Sequence, residues 1–465
     1  MSRGPEIMNR GSGRTGRGPG RTIRLGAGAG FAGDRIDPAA ELARSAALDY
    51  LVFEVLGERT IAAANAQRIS GAGHGYDPLL RRRVEATLPD CRRNGTTIIT
   101  NGGAADPVAA GALAVEIARE HGLTGTRVGV ISGDDVLDAV RRIDPVLWET
   151  GRPLSAESDE VVSANAYLGA APVAEALAGG ADVVIAGRLA DPALYLGAIA
   201  HEHGWDLAGD PTLLGQGTVV GHLLECAGQL TGGYFADPVT KPVPGLDRLG
   251  FPFADVAADG QAVLSKLPGS GGLIDTRTVT EQLLYEVGDP SAYVTPDVVA
   301  DFSGVTLDQV GPDRVQVTGG DGTARPDELK VTLGFRGGWL GEGQISYAGP
   351  RALDRAELAA DIVRRRLVDV HGLDEQTVLV ELIGAGAAFR GLAEAGDPVE
   401  VRLRVAARVP DRAAAEAVGW EVESLYTNGP AAGGGARKHV QEVLAIRSCT
   451  LPRALVHTHV SIEEA

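Results

Sequence analysis

The first half of the chain alternates short apolar strands with helical segments, and several strands end in glycine-rich loops. We predict strands at Thr22–Gly26, Asp49–Val55, Thr96–Thr100, Arg127–Ser132 and Asp182–Ala186. Predicted helices separate them at Pro38–Ala47, Pro78–Arg93, Pro107–His121 and Ala171–Ala178. This alternation is typical of a parallel sheet covered on both faces. We therefore predict an α/β fold with a mostly parallel, Rossmann-like sheet in the N-terminal half.

The second half has a different pattern, which indicates an α+β domain. In Val399–Val409 the apolar residues Val399, Val401, Leu403 and Val405 fall on one face of a strand. Predicted helices lie at Val279–Val287, Arg355–Val370 and Arg412–Val418. The proline- and glycine-rich stretch Thr240–Gly260 marks the boundary. We expect a disordered basic tail at 1–21, an α/β domain at 22–240 and an α+β domain at 241–465.

Charge argues against nucleic acid as a partner. The 465 residues carry a formal charge of -18, and the arginine-rich segment 1–21 carries +4, which leaves -22 on the rest. Such a body repels a phosphate backbone. No apolar run approaches the roughly 20 residues of a membrane helix. The three cysteines, Cys91, Cys226 and Cys449, are too far apart for a disulfide framework or a closed zinc site, so we expect a cytoplasmic protein without membrane contact.

One glycine loop matches the spacing of a dinucleotide-binding fingerprint. Gly28, Gly30 and Gly33 follow the first predicted strand, and Glu54 ends the next strand, where an acid can bind a ribose. In the fingerprint, however, a helix begins inside the glycines, and Pro38 stands where it would break that helix. A turn whose backbone amides face a ligand is the alternative we favour, and a purely structural turn stays open.

Two further strand-end loops are candidates for binding an anionic substrate. Amides at Asn101, Gly102 and Gly103 precede a predicted helix and can hold a carboxylate, phosphate or enolate oxygen. A tight turn capped by Asp106 explains the same residues without a ligand. Arg188 ends an apolar strand, where it can clamp a carboxylate or a CoA phosphate, or pair with Asp191 three residues later.

The densest group of reactive side chains is His222, Glu225 and Cys226. If residues 218–230 are helical, the three share one face, since they stand at i, i+3 and i+4. An imidazole, a carboxyl group and a thiol together suit acid–base catalysis or a nucleophile. We expect no metal here, because a third ligand such as His201 or His203 would not complete a recognised zinc spacing. A buried, inert cysteine is the alternative for Cys226.

Two glycine loops in the second half supply the remaining substrate-binding candidates. Lys266 is one of only four lysines in the chain and precedes the glycine-rich Pro268–Gly272, so it can contact a phosphate. A solvated lysine in a turn is the alternative. Asn428 precedes Gly429-Pro430 and the glycine run 433–435, where backbone can approach a flat or anionic group, or can form a simple connector.

Taken together, these motifs resemble the acyclic terpene utilisation AtuA family over about residues 24–437. The segments that carry the resemblance are GAGAGFAGDR, DYLVFEVLGERTIA, AYLGAAPVAEALAGGADVVIAGRLADPALYLG, HEHGW, GHLLECAGQLTGGYFAD, KLPGSGGLIDTRTVTEQLLYEVGDPSAYVTPDVVADF and YTNGPAAGGGAR. The resemblance implies a link to breakdown of citronellol- and geraniol-type terpenes as CoA thioesters, beside geranyl-CoA carboxylase. It supplies no catalytic residues. Family members also occur in specialised metabolism, so the substrate stays open.

We expect an enzyme, a hydro-lyase or other lyase, acting on a branched acyl thioester or related organic acid. Glu225 or His222 would move the proton, and CoA would enter as part of the substrate, with no separate cofactor assigned. A homo-oligomer is expected. The alternatives are a non-catalytic partner subunit of an acyl-CoA carboxylase, an enzyme of specialised metabolism on a non-terpene substrate, and a dinucleotide-dependent oxidoreductase.

Overall fold

The computed structural model describes residues 21–390, 392 and 396–465. The predicted tail at 1–21 lies outside them except for Arg21. The strands are β1 (Ile23–Ala29), β2 (Tyr50–Phe53), β3 (Thr97–Thr100), β4 (Arg127–Ser132), β5 (Val161–Ala166), β6 (Val183–Ala186), β7 (Pro252–Val256), β8 (Ala262–Lys266), β9 (Tyr293–Val294), β10 (Val299–Asp301), β11 (Thr306–Gly311), β12 (Arg314–Thr318), β13 (Asp321–Thr323), β14 (Glu328–Ala348), β15 (Val378–Ile383), β16 (Glu400–Val409), β17 (Gly433–Pro452) and β18 (His459–Glu464).

Eleven α-helices lie in the described part of the chain. They are α1 (Asp37–Ser45), α2 (Glu58–Ser70), α3 (Leu80–Asn94), α4 (Pro107–Glu120), α5 (Leu137–Ile143), α6 (Ala171–Ala178), α7 (Ala193–His203), α8 (Pro211–Glu225), α9 (Thr276–Leu284), α10 (Ala352–Asp369) and α11 (Arg412–Asn428). None of these described helices combines the length and apolarity needed to cross a bilayer.

The main sheet has ten strands in the order β11-β12-β8-β7-β1-β2-β3-β6-β4-β18. Its centre, from β1 to β4, is parallel, and these five strands are the ones predicted from the sequence. All strands added outside this centre are antiparallel to their neighbours. The sheet is therefore mixed, and the Rossmann-like prediction is confirmed only in part. The hairpins after residue 250 add strands to the main sheet on the side of β1. They do not form a separate sheet.

The described residues form two compact units. The first comprises 21–156, 162–333 and 447–465, and the second comprises 157–161 and 334–446. The predicted boundary at Thr240–Gly260 falls inside the first unit, since β7, β8, β11 and β12 belong to the ten-stranded sheet. The last strand, β18, returns to pair with β4 in the same sheet.

The centre of the first unit is an apolar core in which strand residues are almost completely buried. Leu51, Ile99 and Val184, on β2, β3 and β6, each have 0% exposure. Strands buried on both faces read as continuous apolar runs, which is why the sequence revealed them. The three-stranded sheet β13-β10-β9 also belongs to this unit.

The second unit is built on antiparallel strands covered by two helices. Strand β16 pairs with β14 and β15, and helices α10 and α11 pack on it. Val401, Leu403 and Val405 are buried on one face, as predicted, whereas Val399 precedes the strand and is 84% exposed. Asp411 caps α11 by accepting a hydrogen bond from the Ala414 amide at 2.9 Å.

Candidate active site

The loops that follow the parallel strands bring polar side chains together at one edge of the sheet. Glu54 follows β2 and Asn101 follows β3, and the Asn101 amide nitrogen Nδ2 donates to Glu54 Oε1 at 2.8 Å. Arg188 follows β6, and its backbone amide donates to Asp134, which follows β4, at 3.0 Å. This is the convergence expected at the carboxyl ends of parallel strands.

A cavity of about 660 Å³ opens beside this edge, entirely within the first unit. Its volume is in the range of small-molecule sites, roughly 300–1,000 Å³. The ionisable and aromatic side chains that border it are Glu58, Arg59, Tyr167, Arg188, Asp191, His222, Glu225, Glu286, Tyr293, Glu328 and Lys330. Four of the predicted site residues therefore border the same cavity: Arg188, Asp191, His222 and Glu225.

Arg188 is held at the cavity by an ion pair and an aromatic ring. Its Nη2 lies 2.9 Å from Asp191 Oδ1, and its guanidinium lies 4.0 Å from the centroid of Tyr167. Burial disfavours the charged guanidinium, but Asp191, Tyr167 and nearby glutamates outweigh it, so the pKa of Arg188 is raised. Only 2% of the residue is exposed, and its Nε and Nη1 have no hydrogen-bond partner among the described residues.

His222 and Glu225 form the predicted pair near the end of α8. His222 Nδ1 and Glu225 Oε1 are 2.9 Å apart. Burial lowers the pKa of His222 to about 4, although the backbone of Gln282 and Leu283 partly opposes the shift. Burial, together with Asp191 and Glu286, raises the pKa of Glu225 well above its usual value. The imidazole is therefore neutral near pH 7, and the surroundings of Glu225 favour its protonated form.

Cys226 does not complete the predicted group of three. Helix α8 ends at Glu225, so Cys226 leaves the shared face and does not border the cavity. Burial and the neighbouring Glu225 raise the pKa of its thiol, which keeps it protonated. Because the thiolate is the nucleophilic form, this environment favours the inert alternative.

The glycine loop after β1 has a packing role. A Cβ on Gly30 would lie 2.4 Å from the backbone carbonyl carbon of Cys226, and one on Gly28 would lie 2.7 Å from the Phe53 ring. The Gly30 amide donates to Asp34 at 2.9 Å. Helix α1 begins only at Asp37, after the glycines. The loop therefore lacks the helix that would hold a pyrophosphate, and the side chain of Glu54 is taken up by Asn101.

In the loop Asn101-Gly102-Gly103, protein groups bind the Asn101 side chain and the Gly102 amide. Asn101 Oδ1 accepts from the Val55 amide at 2.8 Å, and the Gly102 amide donates to Thr100 Oγ1 at 2.9 Å. A Cβ on Gly103 would lie 2.6 Å from the Ala186 carbonyl oxygen. This loop does not border the cavity, and its observed contacts fit the tight turn that Asp106 caps.

Lys266 and Asn428 lie elsewhere. Lys266 is 5% exposed, donates to the Ser270 carbonyl at 2.9 Å and pairs with Asp313 at 3.2 Å. It thereby fixes its own glycine loop. Asn428 ends α11 in the second unit, where its amide donates to the Ser424 carbonyl at 3.1 Å. Neither borders the cavity.

The profile of the family described as acyclic terpene utilisation family protein AtuA matches residues 23–462. The chain belongs to this family. The match confirms the resemblance seen in the sequence and covers both compact units. No curated protein and no solved structure matches the chain.

In this AtuA-family chain, seven of the eleven ionisable and aromatic cavity residues escaped the sequence reasoning, among them Glu58, Tyr167 and Lys330. Lys330 Nζ pairs with Glu58 Oε1 at 2.6 Å, and the Tyr167 hydroxyl donates to the same oxygen at 3.1 Å. Burial would raise the pKa of Glu58, but these hydrogen bonds and the Lys330 charge lower it overall. The scarcity of lysine was a signal for Lys330 as much as for Lys266, but its partners stand far from it in the chain.

Burial shifts the pKa values of the carboxyl groups around Arg188 in the same direction. Burial, with a contribution from Asp191, raises the pKa of Glu54 to about 8. Burial also raises the pKa of Asp191, whereas Arg188 favours its ionised form. Within the part of the chain that the structure describes, no cluster of three or more His, Cys, Asp or Glu side chains is arranged to hold a metal ion. The cavity thus places carboxyl groups beside a buried guanidinium.

Proposed function

We propose that this AtuA-family chain is an enzyme that acts on a branched acyl thioester, or a related organic acid, as a hydro-lyase or other lyase. One observation carries the proposal: the same cavity presents a carboxyl group beside a guanidinium, Asp191–Arg188, and a carboxyl group beside a neutral imidazole, Glu225–His222. Two carboxyl groups in unlike environments are the usual way to obtain a base and an acid at one pH.

In the proposed dehydration, the Asp191 carboxylate removes the proton next to the thioester carbonyl, and the adjacent Arg188 guanidinium favours the ionised form of Asp191 that this step uses. The C–H electron pair forms the new carbon–carbon double bond. The β-hydroxyl group leaves with its bonding electrons and takes a proton from Glu225, so the products are an enoyl thioester and water. Hydration is the same sequence in reverse. His222 then orients the Glu225 carboxyl group through their 2.9 Å contact.

The alternatives have less support from the geometry. A non-catalytic carboxylase partner would not need a cavity in which acids and a guanidinium meet, whereas this one is bordered by Asp191, Glu225 and Arg188. The glycine loop at Gly28 and Gly30 packs against Phe53 and Cys226, which accounts for its glycines without a dinucleotide. A non-terpene substrate fits the same chemistry. The family name refers to a pathway, whereas the cavity residues indicate only a class of reaction.

The test is a screen of branched 3-hydroxyacyl- and 2-enoyl-CoA thioesters with purified protein, following the enoyl thioester by absorbance. We expect turnover by the wild type and a loss of about 10²–10⁴-fold in kcat for Glu225→Gln, the usual contribution of a general acid. Glu175→Gln, at an exposed glutamate of α6, is the matched control. Absence of turnover with every thioester, or full activity in Glu225→Gln, would contradict the proposal.

A further inference from the structure

The first turn of α2 forms part of the cavity wall and carries no side-chain cap. Residues 57–60 border the cavity, and Gly57 occupies the N-cap position of this 13-residue helix. The first amides of a helix have no partner within the helix and carry the positive end of its dipole. The nearest carboxylate, Glu58, is occupied by Lys330 and Tyr167 and does not cap the helix.

A second, independent feature points to a ligand at the same place. Arg188 borders the cavity although only 2% of the residue is exposed. Its Nε and Nη1 are unpartnered among the described residues. A buried guanidinium with free N–H groups is costly unless a ligand completes its hydrogen bonds. Tyr167 connects the two features, since its ring contacts Arg188 and its hydroxyl binds Glu58.

We propose that the α2 first turn and Arg188 bind a carboxylate of the substrate, so that the acyl group or organic acid carries a free carboxylate in addition to its reacting centre. This inference rests on the proposed function for the identity of the reacting centre. Helix amides and a guanidinium are the donors that proteins use for such groups.

The charges around the site favour a monoanion over a dianion. Arg59 and Lys330 add cations at or close to the first turn. The acids Glu58, Asp191, Glu286 and Glu328 border the same cavity. Each acid that remains ionised repels both charges of a dianion, and so opposes a dianion about twice as strongly as a monoanion. A carboxylate therefore fits this balance better than a phosphate dianion.

The geometry of Gly57 allows a test that does not threaten the fold. Its backbone is extended, with φ -89° and ψ 176°, and an added Cβ would meet only Thr60 Oγ1, at 3.8 Å. Gly57→Asp should place a carboxylate on the free amides, since aspartate is a strong N-cap residue. It would stabilise α2 and compete with the ligand. Gly57→Ala adds the Cβ without an oxygen, and Gly434→Asp adds the same charge in the second unit, where a Cβ meets nothing within 4 Å.

The probes are isovalerate, a branched monocarboxylate, and inorganic phosphate, titrated into the full chain by calorimetry. We expect isovalerate to bind the wild type, to lose at least about tenfold in affinity in Gly57→Asp, and to stay within about twofold in Gly57→Ala and Gly434→Asp. The melting temperature of Gly57→Asp should equal or exceed that of the wild type. Unchanged isovalerate affinity in Gly57→Asp would overturn the inference, as would tighter binding of phosphate.

These outcomes separate the inference from the proposed reaction. If isovalerate follows the expected pattern but no thioester is turned over, the carboxylate site stands and the reaction is wrong. If thioesters are turned over while Gly57→Asp binds isovalerate like the wild type, the reaction stands and the carboxylate site is wrong.

Discussion

Asn101 Nδ2 donates to Glu54 Oε1 at 2.8 Å, and this bond joins the loops that follow two neighbouring parallel strands. Asn101 Oδ1 also accepts from the Val55 amide. The buried Asn101 side chain therefore hydrogen-bonds both a backbone amide and a side chain of the loop after β2. Glu54 in turn interacts electrostatically with Asp191 and Arg188. Asn101 is therefore a positioning residue: it does not border the cavity itself, but it holds Glu54, which interacts with two residues that do.

Asn101→Ala should destabilise the protein by about 2 kcal/mol, because it leaves the buried Val55 amide without its acceptor and removes one of the two hydrogen bonds that Glu54 Oε1 accepts, the other coming from the Leu56 amide. Chemical denaturation monitored by circular dichroism measures the change. Asn428→Ala is the control: its amide bonds lie within the exposed end of α11, and we expect a change below about 0.5 kcal/mol. Equal losses in the two variants would refute this role for Asn101.

Glu54→Gln should make stability less dependent on pH between about 4.5 and 8. The folded protein holds the Glu54 proton up to a pKa of about 8, whereas the unfolded chain releases it near the usual glutamate value. The folded state thus binds more protons in this window, and this carboxyl group makes stability fall as pH rises, by at most about 1.4 kcal/mol per pH unit. Melting temperatures across the window give the slopes. The same slope in Glu54→Gln and the wild type would show that Glu54 ionises normally.

His222 has the opposite effect on pH dependence. Its folded-state pKa of about 4 lies below the unfolded value, so the unfolded chain binds more protons between about pH 4 and 6.5. Stability contributed by neutral His222 is therefore present above that window and is lost as pH falls through it. His222→Asn should reduce the stability lost on acidification, measured by urea denaturation at several pH values. An unchanged acid dependence in this variant would contradict the assignment of a neutral, buried imidazole.

Gly30→Ala tests the packing role of the glycine loop. The new Cβ would meet the Cys226 backbone at 2.4 Å, which cannot move aside as a flexible side chain does. We expect a loss of roughly 1–3 kcal/mol, typical of overpacking. Gly434→Ala, where a Cβ meets nothing within 4 Å, should be nearly neutral. A protein that keeps its stability in Gly30→Ala but loses NADH binding would instead support the dinucleotide hypothesis.

The sequence predicted contacts between neighbouring residues of the site better than it predicted which residues make up the whole site. The spacing of His222 and Glu225 predicted their contact, because three residues in a helix bring side chains together. Cys226 was placed on the same face only because α8 was expected to continue beyond Glu225. Helix α2 was not predicted, although Gly57 at its start and the helix-forming residues after Glu58 are a signal that could have found it.

By itself, the sequence determined the five central strands, the glycine loops at their ends and the family. Strands buried on both faces need continuous apolar runs, and such runs are visible without a structure. Only the tertiary structure decided that strands after residue 250 extend the same sheet, and that Lys330, Tyr167 and Glu58 meet beside Arg188. These contacts join residues far apart in the chain. Their partners depend on how the loops and strands cross in space, which local spacing does not encode.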